Sequence, residues 1–145
     1  MAIEVRVISD LMQVDVSKLV QESEKEGYRF LSRLVSEYED GTNRFEEEGE
    51  ALYGAWNGDE VVAIGGLNKH PLDSSAARLH RFYTLPAYRR NGVGSQLFQV
   101  ISDKAKENFT EITTKTESAK ADSFYRAVGF VFDGRSADTT HVIGL

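Results

Sequence analysis

The sequence predicts a mixed α/β (α+β) fold, a mixed central sheet of about six to seven strands flanked by about four helices. Three observations carry this expectation. Two apolar runs flank an Asn57-Gly58 turn mid-chain, the mark of an antiparallel hairpin. Later in the chain, strand-like runs alternate with amphipathic helical stretches, as parallel crossovers require. The 145 residues have the length of one domain, and 41% apolar residues can fill its core. A single domain over residues 1–145 is therefore expected.

The elements follow in order. Ile3-Glu4-Val5-Arg6-Val7-Ile8 alternates apolar and polar residues and reads as a strand. Residues 14–40 are charged and amphipathic. Val16, Leu19 and Val20, then Phe30, Leu31, Leu34 and Val35, recur at helical spacing, with Gly27 dividing two helices and Asp40-Gly41 ending the second. Residues 51–56 and 60–67 form the hairpin around Asn57–Asp59. A loop, His70–Ser75, leads to a strand over Ala77–Thr84 that Pro86 ends. Val93 to about Asn108 is helical, with Val93, Leu97, Phe98, Ile101 and Ala105 as its apolar stripe. Glu111–Thr116 is strand-like and Ala119–Val128 helical. Gly129 stops that helix, Phe130–Phe132 begins another strand, and Thr140–Ile143 reads as a short last one.

Composition removes several classes of function. The net charge of -6 disfavours nonspecific nucleic-acid binding, which rests on cationic contacts. No stretch approaches the roughly 20 apolar residues of a membrane helix. Zero cysteines exclude disulfides, thiolate nucleophiles and Cys-ligated zinc, and the three histidines show no ligand spacing, so no metal is implied. The N-terminal residues lack a basic region followed by an apolar run. A cytoplasmic location is the expectation.

The most informative segment is Tyr88-Arg89-Arg90-Asn91-Gly92-Val93-Gly94-Ser95-Gln96-Leu97, between a strand and a helix. The first turn of a helix leaves N–H groups unpartnered at the positive end of its dipole. Gly92 and Gly94 remove side chains that would keep a phosphate from those donors, and Arg89 and Arg90 reverse the sign of charge locally. The P-loop pattern is absent, and a dinucleotide fingerprint would need glycine where Leu97 stands. Read alone, the segment is either a pyrophosphate turn or a plain glycine-rich helix start.

Arg89-x-x-Gly92-x-Gly94, preceded by Phe82-Tyr83-Thr84-Leu85-Pro86-Ala87-Tyr88, resembles the acetyl-CoA motif of the GNAT N-acetyltransferase family. Ser118-Ala119-Lys120-Ala121-Asp122-Ser123-Phe124-Tyr125, running on to Gly129-Phe130, resembles that family's second motif, with Ser118 where asparagine is usual. Order and separation of the two motifs also fit. The resemblance implies a GNAT-like sheet and acetyl-CoA as cosubstrate. It implies cofactor contacts from Phe82, Tyr83, Thr84, Arg89, Arg90, Asn91, Gly92, Val93, Gly94, Ser95, Ser118 and Tyr125. A splay between the strands at Ala77–Thr84 and Glu111–Thr116 would admit the pantetheine arm. Tyr125 would be the acid that protonates the departing thiolate. With a phenol near pKa 10 and a thiol near 8.5, that transfer is uphill by only about 2 kcal/mol. Without the resemblance, Tyr125 reads as an amphipathic residue packed on the sheet.

The implied acceptor is the primary amine of a small molecule or peptide, and the rival reading is a noncatalytic acyl-CoA-binding or regulatory module. A homodimer is left open. Where many family members carry a glutamate as base, this chain has Arg78. His80 is the remaining candidate base, since its ordinary pKa near 6.5 suits the role. The period of two would set it on one strand face with Arg78, Phe82 and Thr84. His70 and His141 have no motif behind them. The many acidic residues of 22–50, among them Glu22, Glu24, Glu26, Glu37, Glu39, Asp40, Glu46, Glu47, Glu48 and Glu50, are a solvated face or, where they line the acceptor cleft, a preference for a cationic amine. Tyr28, Phe30, Tyr38 and Phe45 could wall that cleft.

Overall fold

The computed structural model describes residues 2–145. Its strands are β1 (Ile3–Val7), β2 (Ala51–Asn57), β3 (Glu60–Lys69), β4 (Ala76–Thr84), β5 (Glu111–Thr114), β6 (Val131–Ser136) and β7 (Thr139–Gly144). The helices are α1 (Ser17–Lys25), α2 (Phe30–Asp40), α3 (Val93–Ala105) and α4 (Ala119–Ala127). Single 3-10 turns at Leu11–Gln13 and Pro86–Tyr88 were not legible in the pattern. The sheet order is β1-β2-β3-β4-β5-β7-β6. Only β4 and β5 pair in parallel; the other neighbours are antiparallel.

β3, an interior strand between β2 and β4, is buried along nearly its whole length, because helices cover both faces of the sheet. From α3, the predicted stripe of Val93, Leu97, Phe98, Ile101 and Ala105 is buried against it. Complete burial of side chains such as Leu97 and Ile101 stabilises by about 1.5–3 kcal/mol each. From α1 and α2, Leu19, Leu31 and Leu34 seal the opposite face.

Two departures from regularity create the site. The first is the length of β5, which ends at Thr114 and not at Thr116. Pairing with β4 covers only Ala76–Arg78 against Glu111–Thr113. β4 continues to Thr84, so its later residues have no strand partner on that edge among the described residues, and the two strands part.

The second is a bulge in β4. Arg81 adopts φ 58°, and the β3–β4 register shifts opposite it, between Ile64 and Gly66. A bulge inserts one residue and flips the alternation beyond it. Phe82 therefore shares the α3 and α4 face, where it stacks on Phe124 at 5.3 Å. Gly65 makes room for this ring, since a Cβ there would lie 2.7 Å from Phe82 Cδ2. Thr84 lies on the same face, close to Gly94. His80 and Arg78 stay opposite Gly66 and Asn68, on the α1 and α2 face. The expected single face of Arg78, His80, Phe82 and Thr84 is thus wrong: the bulge divides them two and two.

Candidate active site

A cleft of about 960 Å³ follows the parting of β4 and β5 from one face of the sheet to the other. Its first end is the turn before α3. Arg90 has φ 64° and Gly92 φ 77°, and alternation of this kind directs successive N–H groups into one concavity. Gly92 caps α3 without any side-chain hydrogen bond, so the donors of the first turn keep no internal acceptor. Val93 is buried and offers only its backbone, while Ser95 reaches the cleft wall. Asn91 is exposed and donates from Nδ2 to Arg89 O at 3.4 Å.

The two arginines differ. Arg89 is held within the chain. Its guanidinium donates to Glu26 at 2.8 and 2.7 Å and to Thr84 O at 3.1 Å, and it lies 5.3 Å over the Tyr83 ring. The Tyr83 hydroxyl also donates to Glu26. Arg89 and Tyr83 hold Glu26 well below the usual carboxylate range. Arg90 makes no ion pair among the described residues, and with Lys120 supplies the uncommitted charge at this end. The family resemblance implies cofactor contacts from both arginines and from Tyr83. The structure turns the Tyr83 side chain to the other sheet face and spends the Arg89 side chain on Glu26.

The middle of the cleft holds Tyr125, 7% exposed, in a cage of Phe82, Phe124, Phe130 and His141 rings. Burial pushes its phenol up, and the neighbouring Thr114 hydroxyl opposes the shift. Thr114 in turn donates to Leu79 O at 3.2 Å, at the point where the strands part. The Leu85 N–H pairs with Val62 O on β3 at 2.9 Å. By strand alternation, Phe82 and Thr84 turn their backbone groups to the open edge. Ser118 caps α4, accepting from Ala121 N at 3.3 Å, and keeps a hydroxyl proton to donate.

His141 has no motif around it in the sequence to mark it. In the fold it is 2% exposed, with Nε2 2.6 Å from Asp122 Oδ1 and Nδ1 2.7 Å from Thr140 Oγ1, and its ring lies 5.9 Å from that of Tyr125. It fixes one wall of the tyrosine cage. Only the pairing of β5, β7 and β6 brings it there.

On the α1 and α2 face the cleft meets His80. Asn68 donates from Nδ2 to Glu50 at 3.1 Å and to Asn43 Oδ1 at 3.0 Å, and its Oδ1 accepts from Asn43 Nδ2 at 3.0 Å. That fixes the amide, so its Oδ1, 3.2 Å from His80 Nδ1, accepts from an Nδ1–H. Nε2 then carries the lone pair. Burial, with Arg81 and Arg78 adding their fields, pushes the His80 pKa down to about 4. Arg81 donates to Glu37 at 3.0 Å and leaves its buried Nε without a protein partner. Of the acidic residues weighed as a cleft lining, only Glu26 lines it.

The chain matches the sequence profile of the acetyltransferase (GNAT) family over residues 16–130 and belongs to that family, which uses acetyl-CoA as its acetyl donor. No curated protein matches it. Among solved structures, a protein from Exiguobacterium sp. assigned to the acetyltransferases is 26% identical, with a TM-score of 0.90 over 99% of this chain and 94% of that one. An acetyltransferase from Bacillus anthracis, solved in complex with acetyl coenzyme A, is 22% identical, with a TM-score of 0.56 over 69% of this chain and 64% of that one. A Salmonella typhimurium acetyltransferase that modifies the N-terminal serine of a ribosomal protein is 13% identical, with a TM-score of 0.71 over 99% of this chain and 92% of that one. No helix among the described residues is long and apolar enough to cross a membrane. No group of His, Asp and Glu among them could hold a metal ion.

Proposed function

We propose that this protein transfers an acetyl group from acetyl-CoA directly to the primary amine of a small-molecule or peptide acceptor. The carrying observation is the buried Tyr125, set beside the open edge of β4, in the same cleft as an uncapped helix start. The residues present fit acetyl-CoA. The uncapped α3 turn, with the Arg90 and Lys120 cations, offers donors and charge for a pyrophosphate, and the parted strands offer a slot for an extended arm. When bound, acetyl-CoA supplies the thioester. Backbone N–H groups at Phe82 and Thr84 would polarise its carbonyl.

Tyr125 holds the proton that a departing thiolate needs. Its raised pKa keeps the phenol protonated, and the same apolar surroundings raise a thiol, so the transfer stays only modestly uphill. His80, neutral at physiological pH, presents Nε2 as hydrogen-bond acceptor for an attacking nitrogen. At a pKa of about 4 it orients the nitrogen and passes its proton on; it does not store it. The cations that depress His80 depress an ammonium beside it too, which raises the reactive free-base fraction without a glutamate. The relative acting on an N-terminal serine supports an amine acceptor.

The test is CoA release from acetyl-CoA in the presence of separate amines: polyamines, amino acids, aminoglycosides and peptide N-termini. Release that depends on an amine and yields an N-acetyl product is expected. Tight CoA binding with no release for any amine would make the protein a noncatalytic acyl-CoA module.

A further inference from the structure

We propose that the acceptor carries an anionic group, a carboxylate or a phosphate, beside its amine, and that Arg78 selects it. The proposal rests on the N-acetyltransferase reading above and names the acceptor class for it.

The net charge of -6 suggests attraction of cations, yet of the acidic residues of 22–50 only Glu26 lines the cleft, and it is already satisfied. Glu26 takes two hydrogen bonds from Arg89 and one from Tyr83. Glu37 is paired with Arg81. Arg78, opposite Asn68 in register and half-buried in the cleft wall, makes no ion pair and no side-chain hydrogen bond among the described residues. The carboxylate that senses it, Asp138, is held first by the Ser136 hydroxyl at 2.6 Å.

Arg78 does not serve the phosphate turn. It lies six positions before Thr84 along β4, up to about 20 Å of chain, and Thr84 is the residue close to Gly94 at that turn. Its guanidinium therefore faces the acceptor. The planar fork suits paired oxygens of a carboxylate or phosphate. The buried Nε–H of Arg81, without a protein partner, adds to the positive potential of the same wall. A polycation would meet both arginines and is disfavoured. Tyr28 and Phe30, with ring centroids 5.4 Å apart, and Tyr83, 6.1 Å from Phe30, offer an apolar wall for the rest of the acceptor.

The experiment compares kcat/KM for matched amines: phenylalanine against phenylalaninamide, O-phosphoethanolamine against ethanolamine, and spermidine as the polycation. Wild type, Arg78→Lys, Arg78→Gln and Arg78→Glu are assayed, with thermal melts confirming folding. The anionic member of at least one pair should be preferred about tenfold or more, the scale of a charge-assisted contact, and the pair in which this appears tells carboxylate from phosphate. Arg78→Gln should abolish the preference, Arg78→Lys keep part of it, and Arg78→Glu favour spermidine, with KM for acetyl-CoA unchanged throughout. In parallel, N-acetylphenylalanine, its amide and O-phosphoethanolamine are titrated calorimetrically into the CoA-loaded protein. Binding of an anionic probe that Arg78→Gln removes supports the proposal even if no amine is acetylated, in which case only the transfer reading falls. Turnover that favours neutral or cationic amines, discrimination that survives in Arg78→Gln, or probe binding that is absent or blind to charge overturns the proposal and leaves the transfer reading standing.

Discussion

Tyr125→Phe separates chemistry from packing. Phenylalanine keeps the ring contacts with Phe82, Phe124 and Phe130, so stability should change little. Loss of the hydroxyl removes an interaction made as the thiolate departs. The single-turnover rate should therefore fall about 100-fold, the low end for a general acid, with affinity for acetyl-CoA nearly unchanged. Wild-type single-turnover rates in the variant would take Tyr125 out of the mechanism.

At the scale of elements, the turn between β4 and α3 has two arginines with different work. Arg90→Ala should weaken CoA binding about tenfold, and the loss should shrink as salt rises, because Arg90 acts as an exposed charge. Arg89→Ala should instead loosen the strap from Glu26 to the turn. It should lower stability by about 1 kcal/mol, the upper scale for a partly exposed pair, and Glu26→Gln should reproduce most of that loss. Melting curves and calorimetry on the three variants check the contrast. Equal losses of affinity from both arginines would return Arg89 to the cofactor. Gly94→Glu tests the slot itself: its Cβ would lie 3.1 Å from Phe124 and 3.4 Å from Thr84 Oγ1. The longer side chain must push Phe124 off Phe82 and place a carboxylate by the phosphate donors, so CoA affinity should fall about 100-fold or more while the fold persists.

For the whole molecule, His80 links the site to stability. Its pKa is about 4 in the fold and near 6.5 in the unfolded chain, so between those values the unfolded chain binds the extra proton. Stability is thus lost as pH falls from 6.5 to 4, by up to about 3 kcal/mol for the full shift. Asp122 has a depressed carboxyl, and its contribution is lost only below the ordinary carboxylate range. His80→Gln should accordingly flatten the fall of Tm across that window. An unchanged slope would mean that His80 titrates as freely in the fold as outside it.

The sequence by itself determined the element order, the hairpin at Asn57-Gly58, the buried stripe of α3 and the glycine turn before it, because all of these are local: periods, turn residues and helix starts are properties of neighbours along the chain. Tyr125 and Ser118 stood out only through the resemblance of their segment to a family motif; the local pattern alone placed them at one short helix. What only the tertiary structure decided depends on pairing across the sheet. The early end of β5 opens the slot. The bulge at Arg81 sends His80 to one face and Phe82 to the other, against the simple alternation of the strand. His141 reaches Tyr125 only through the pairing of β5, β7 and β6, and Arg89 meets Glu26 across 63 positions of sequence. Charge followed the same division: a composition of net charge -6 says nothing of direction, and it is the tertiary structure that leaves only Glu26 of the acidic residues of 22–50 lining the cleft and sets Arg78 in its wall without an ion pair among the described residues.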